Sequence, residues 1–279
     1  MELQTASRKR VKIKCALQGP SSSGKTKSAL YIAYGLCPDW SKIAVIDTEN
    51  RSSELYSDVG DFKVLHLGPP FSPERYIEAL NTCVKAGMKV VIVDSLTHEW
   101  EYILDAHGAM PGNSFTNWTK FTPRHNGLVN AMLQADVHII GTIRTKQDYV
   151  LSEKNGKQVP EKVGLKGVQR DGIDYEFTLV FDLNINLLAK ASKDRTQLYF
   201  GEPEFIPSVE TGKAILDWCN QGSPELPSMT IEDMLKSIGN CNTLEELNGL
   251  YHSYPQFQVD MQQEFTNRKH IINRETIKN

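Results

Sequence analysis

The stretch Gly19–Leu30, GPSSSGKTKSAL, decides the fold. Its first eight residues follow the pattern Gly-x-x-x-x-Gly-Lys-Thr, the phosphate-binding loop. Glycine at both ends lets the backbone curl until several N–H groups point inward at one anion. A helix starting at the second glycine adds the positive end of its dipole. Gly19, Pro20, Ser21, Ser22, Ser23, Gly24, Lys25, Thr26 and Lys27 are therefore the expected phosphate-binding residues. Within them Lys25 is placed to reach the β and γ phosphates, and the Thr26 hydroxyl to hold Mg²⁺.

The flanks agree with the loop. Val11–Gln18, VKIKCALQ, has the make-up of a strand entering it, and Ala29, Ile32, Ala33 and Leu36 recur at helical spacing behind it until Pro38. Further out lie KIAVID (Lys42–Asp47), FKVLHLG (Phe62–Gly68), KVVIVD (Lys89–Asp94) and VHIIGTI (Val137–Ile143), each a short apolar run. Ser72 and Pro73 open a helix, and Thr122 and Pro123 are read as opening another. Continuous apolar strands alternating with helices predict an α/β fold, with a mainly parallel central sheet and helices on both faces. Sites in such sheets lie at the carboxyl ends of the strands. Asp94, at the end of VVIVD, emerges at that edge as a second Mg²⁺ partner. Glu49, in IDTEN, is a candidate to orient or deprotonate an attacking water, with Asp47 and Glu54 as competitors.

After about Gly222 the pattern changes. SPELPSM reads as a linker, and Thr230 with Asp233 and Thr243 with Glu246 form two capping-box signatures. A third helix would carry Met261, Phe265 and Ile272. The domain reading is a core over 1–222 and a small helical unit over 223–279. That tail has five Lys/Arg against eight Asp/Glu, whereas the core has 26 of each. An acidic tail suits a partner dock better than a DNA grip.

Composition narrows the classes. A net charge of -3 excludes a protein that is basic all over, so nucleic acid would need a local patch or several subunits together. Cys15, Cys37, Cys83, Cys219 and Cys241 form no CxxC pair, which argues against a disulfide framework or a zinc site. With no long apolar run, the expectation is a cytoplasmic protein without membrane contact.

GPSSSGKT, DTEN, VVIVDS and IIGTIRTK, in that order and at that spacing, resemble the RecA-type P-loop ATPase core over about residues 10–220. DSLTHEW, SFTNWTKFTPRHN and GTIRTKQDYV are similar to the short phage RecA-like ATPases linked to single-strand annealing. The resemblance implies ATP and Mg²⁺ as ligands, Glu49 as the catalytic carboxylate, and a homo-oligomer, ring or filament, on single-stranded DNA. It also implies the host cytosol if the chain is phage-encoded. In that family a glutamine ends the strand where Thr142 stands here, so Arg144 or Lys146 is expected to sense the γ phosphate. Lys193 and Arg195 have the K-x-R spacing that the family uses to reach a neighbour's γ phosphate.

Two segments are expected to hold DNA. One is the loop His107–Trp118, with Phe115 and Trp118 as stacking platforms. The other is the long loop Gln147–Asp171, whose five Lys/Arg outnumber its four Asp/Glu by one. The acidic tail is a candidate dock for a single-strand binding protein. Leu3–Ala6 is similar to the short tether that some recombinases insert into a neighbour. The leading expectation is a DNA-dependent ATPase in annealing or strand exchange. The alternatives are a nucleotide-dependent scaffold or loader with little turnover, and a small-molecule kinase.

Overall fold

The computed structural model describes residues 11–154, 157–221, 230–254, 257–258 and 260–276. The Leu3–Ala6 segment and the SPELPSM linker lie outside them. The chain divides into two compact units, one within Arg10–Gln221 and one within Gly222–Asn279.

In the first unit β1 (Lys14–Gly19) leads through the glycine-rich turn into α1 (Lys25–Leu36). β2 (Ile43–Asp47), β3 (Lys63–His66), α2 (Pro73–Lys85), β4 (Val90–Asp94), α3 (Thr97–Gly108) and α4 (Ser114–Gln134) follow. Then come β5 (His138–Lys154), β6 (Lys157–Gly167), β7 (Leu179–Leu183), β8 (Ala189–Asp194) and α5 (Val209–Asn220). The sheet runs β3-β2-β4-β5-β1-β7-β8, with β6 paired to β5 alone. Every pairing from β3 to β7 is parallel, and β6 and β8 run antiparallel to their neighbours.

The strand sequences explain this arrangement. Successive side chains alternate faces, and both faces of β1, β2 and β4 are apolar. Ala16, Ala44, Ile46, Val91 and Val93 point into the layer under α2 and α4, where Tyr76, Leu80 and Leu128 pack. Cys15, Leu17, Ile43, Val45 and Ile92 point into the layer under α1 and α5, against Leu30, Ile32 and Ile215. Each fully buried aliphatic side chain contributes about 1.5–3 kcal/mol, so the two layers fix the register of the central strands.

Two expectations are corrected here. The helix assigned to Thr122–Pro123 begins at Ser114, because Asn113 caps it by accepting from the Phe115 N–H at 2.8 Å, and Pro123 lies inside it. The segment Gln147–Asp171 is largely a β-hairpin: β5 continues past the sheet to Lys154 and pairs back with β6.

The second unit contains α6 (Ile231–Asn240), α7 (Leu244–Ser253) and α8 (Gln262–Thr276). Thr230 and Thr243 cap α6 and α7 through reciprocal bonds with Asp233 and Glu246. Met234, Ile238, Leu247, Met261, Phe265 and Ile272 form their shared core.

Candidate nucleotide site at the strand ends

The carboxyl ends of β1, β2, β4 and β5 converge because the strands are parallel and in register. Gly19 lies opposite Arg144, and Asp47 opposite Asp94. Gly24 caps α1 with φ of 78°, the left-handed backbone that glycine adopts without strain. Ser21, Ser22 and Lys27 are exposed, Ser23 is buried, and Lys25 and Thr26 are half-buried. The Lys25 ammonium donates to the carbonyls of Gly19 at 3.0 Å and Pro20 at 2.8 Å, so the loop curls round its own cation. Burial lowers the Lys25 pKa, opposed by the Asp94 and Glu49 carboxylates nearby.

Asp94 is 2% exposed and takes two hydroxyls. Thr26 Oγ1 donates to Oδ2 at 2.6 Å, and Thr142 Oγ1 donates to Oδ1. Burial raises the Asp94 pKa against the help of these two donors. A hydroxyl and a carboxylate side by side are the hard oxygen donors that Mg²⁺ takes beside a phosphate. Mg²⁺ fits them without a larger protein cage, and the described residues hold no group of three or more metal-ligating side chains. Thr142 occupies the position where RecA-type cores carry a glutamine. Its side chain is fully buried on Asp94, and so sets that carboxylate instead.

Glu49 is bound by Arg144, whose Nε donates to Oε1 at 2.9 Å and whose second nitrogen reaches Oε2. Burial would raise the Glu49 carboxyl, but the hydrogen bonds and charge of Arg144 outweigh it and hold the pKa below its ordinary value. The Arg144 pKa rises in turn, chiefly through the same bond. Both competitors of Glu49 are engaged in other contacts. Asp47 accepts from the Glu49 N–H at 2.7 Å and the Ser53 N–H at 2.9 Å, so it ties down the loop that carries Glu49. Glu54 pairs with His66 at 2.8 Å. The position of Asp47 at the buried last residue of β2 could have signalled this anchoring role.

Lys193 and Arg195 do not join this cluster. Lys193 lies opposite Val180, which lies opposite Ala16. The Arg195 N–H donates to Thr178, whose N–H donates to Lys14. Both cations therefore sit level with the first half of β1, and Arg195 is roughly 16 Å of strand from the glycine turn. Their spacing does bring them to one place, since they donate to the consecutive carbonyls of Asp174 at 2.7 Å and Tyr175 at 3.2 Å. Trp118 is likewise not an open platform. It lies on α4, stacked on Trp100 at 5.7 Å and on His107 at 4.1 Å, whereas Phe115 is 85% exposed.

The AAA domain family matches residues 11–208, more than half of the chain. The chain belongs to the AAA domain family. Within this AAA domain the curled loop carries the phosphate-binding motif of P-loop ATPases, and Lys25, Thr26 and Asp94 stand together at its mouth. Among solved structures, the chain is similar to the KaiC-like protein PH0186 from the hyperthermophilic archaeon Pyrococcus horikoshii OT3. The identity is 16%, over 69% of this chain and 83% of that one, with a TM-score of 0.42. No curated protein matches this AAA domain chain. Among the described residues no helix is long and apolar enough to cross a membrane.

Proposed function

We propose that this chain is a RecA-like ATPase that assembles on single-stranded DNA and couples ATP hydrolysis to annealing or strand exchange. One observation carries the reading: the residue that grips the catalytic carboxylate is also the root of the β5–β6 hairpin. Arg144 holds Glu49 with its side chain, receives the Val168 N–H at 2.7 Å on its carbonyl, and donates its own N–H to Thr97 Oγ1 at 2.9 Å. One residue thus links the hairpin, through its backbone, to Glu49, through its side chain.

The surroundings support a nucleic-acid load. A cleft of about 420 Å³ at the hairpin root is lined by Trp100, Leu104, Lys146, Lys166 and Arg170. It combines an aromatic face with cations, the pairing that holds single strands through base stacking and phosphate contact. The side chains of residues 147–165 lie outside the described residues, so the expected DNA contacts of Lys154, Lys157 and Lys162 rest on the sequence alone. Assembly into a ring or filament would multiply a weak contact along the strand.

In the reaction Lys25 binds the phosphates, and Glu49, kept ionised by Arg144, orients the attacking water and accepts its proton. Thr26 and Asp94 would hold Mg²⁺, which neutralises phosphate charge when bound. A neighbour's Lys193 and Arg195 would complete the γ-phosphate pocket across the subunit interface. The acidic three-helix unit would recruit a single-strand binding protein.

The test is ATP turnover across a titration of single-stranded DNA at low salt. The expected result is turnover that rises with DNA and saturates. Flat turnover, with no DNA retained on the protein, removes the DNA-coupled reading and leaves a nucleotide-dependent loader.

A further inference from the structure

Beside the phosphate-binding loop, the turn from β7 to β8 exposes two aliphatic side chains: Ile185 at 73% and Leu187 at 45%. Leu187 has φ of 65°, a left-handed backbone that a bulky residue rarely adopts. Asn184 enforces it. Its N–H donates to the Leu188 carbonyl at 2.9 Å and its carbonyl accepts from Leu187 at 3.1 Å. Its Oδ1 accepts from the N–H groups of Asn186 at 2.9 Å and Leu188 at 3.1 Å, and its Nδ2 donates to Glu204 at 3.2 Å. The exposure of the two side chains is therefore built into a tightly bonded turn. The Leu187 side chain also lies against the loop: a Cβ added to Gly24 would stand 3.0 Å from its Cδ2.

The sheet order supplies the direction. β5 and β4 lie on one side of β1, and β7 and β8 on the other. Asp94, Glu49 and Arg144 all stand on the β5 side. A triphosphate whose terminal group faces them must extend its nucleoside the opposite way, over Gly24 and toward the β7–β8 turn. We propose that Ile185 and Leu187 form the platform on which the nucleobase lies. The proposal rests on the nucleotide-binding reading of the loop. It assigns the apolar pair to the flat, weakly hydrated face of a base, whose burial against aliphatic carbon is favourable without any hydrogen bond.

The experiment compares ADP with inorganic tripolyphosphate, which has phosphates and no base. Both are titrated calorimetrically into the full chain, as wild type, Ile185→Ser, and Ile185→Ser with Leu187→Asn. Asparagine tolerates the left-handed backbone, and Ile185 is exposed enough that its variant keeps the fold, as thermal melting would confirm. The expected result is ADP affinity reduced roughly tenfold in the double variant and a few-fold in the single one. Tripolyphosphate affinity should stay within about twofold of wild type. Unchanged ADP affinity overturns the proposal, and so does an equal loss for both ligands, which would mean that the turn only props up the loop. A shift in oligomeric state with ADP affinity intact also overturns it, by making the pair a self-contact. A wild-type chain that binds neither ligand overturns the nucleotide reading itself, a failure distinct from the others.

Discussion

Arg144 grips both carboxylate oxygens of Glu49 although the two residues are 95 positions apart, one beyond the end of β2 and the other on β5. The pair decides the protonation state of Glu49, the proposed general base. Burial pushes Glu49 up and Arg144 pulls it below its ordinary value, so with Arg144 present the carboxylate stays ionised well into acid. Removing the guanidinium leaves burial as the dominant influence, and the pKa must rise. Arg144→Met is therefore expected to move the acid limb of the kcat profile to higher pH. Glu49→Gln, by contrast, should keep nucleotide binding and lose turnover by about 10²-fold or more. An acid limb that stays put in Arg144→Met would show that Glu49 is not the base.

Thr142 and Thr26 divide Asp94 between them, one hydroxyl on each carboxylate oxygen. Because Asp94 is buried, losing one donor raises its pKa further, and a carboxyl that holds its proton binds a cation less well. Thr142→Val preserves shape and removes the hydroxyl. It is expected to raise the half-saturating Mg²⁺ concentration for turnover, most strongly at low pH. It should also cost about 1–3 kcal/mol of stability, visible as a Tm drop of about 2–4 °C per kcal/mol. A normal Mg²⁺ titration with a lowered Tm would confine Thr142 to a structural role.

Much of this site was legible because its parts lie at the ends of strands buried on both faces. KIAVID and VVIVD could be only strands, and their last residues had to emerge beside the glycine turn. The hairpin was not legible. Lys146–Lys154 offers only the short apolar run Tyr149–Leu151 to declare a strand, and the pairing with β6 is a matter of backbone bonds that the sequence does not advertise. The start of α4 was missed because Pro123 mimics a first helical residue, whereas the true cap, Asn113, sits among residues that resemble a loop. The placement of Lys193 and Arg195 was hidden for another reason. The K-x-R spacing shows that two cations converge, but only the antiparallel turn into β8 shows that they do so toward the starting end of β1.

Gly35 of α1 and Gly212 of α5 meet with almost no space between the two backbones: a Cβ on Gly35 would stand 2.7 Å from the Gly212 Cα. The obstacle is main chain, so it cannot rotate away as a side chain would. Gly35→Ala is expected to push α5 off α1 and destabilise the core by about 1–3 kcal/mol through overpacking. The gain in helix propensity, about 1 kcal/mol, is too small to offset this. Urea unfolding should show a lower midpoint with an unchanged slope. A stabilised variant would mean that the helices part without cost.

Arg195 sits level with Lys14, at the far end of β1 from the glycine turn, and this makes the cross-subunit role testable by mixing. If the guanidinium serves a neighbour, an Arg195→Ala chain retains a sound loop and Glu49 but cannot complete the next subunit's pocket. An Glu49→Gln chain has the opposite defect. Neither should turn over ATP alone at any protein concentration. Mixed in equal amounts, about a quarter of the interfaces pair an intact Glu49 with an intact Arg195, so activity should return to about that fraction of wild type. Full activity of Arg195→Ala alone, or no recovery in a mixture shown to co-assemble, would restrict Arg195 to anchoring the Tyr175 carbonyl it already holds.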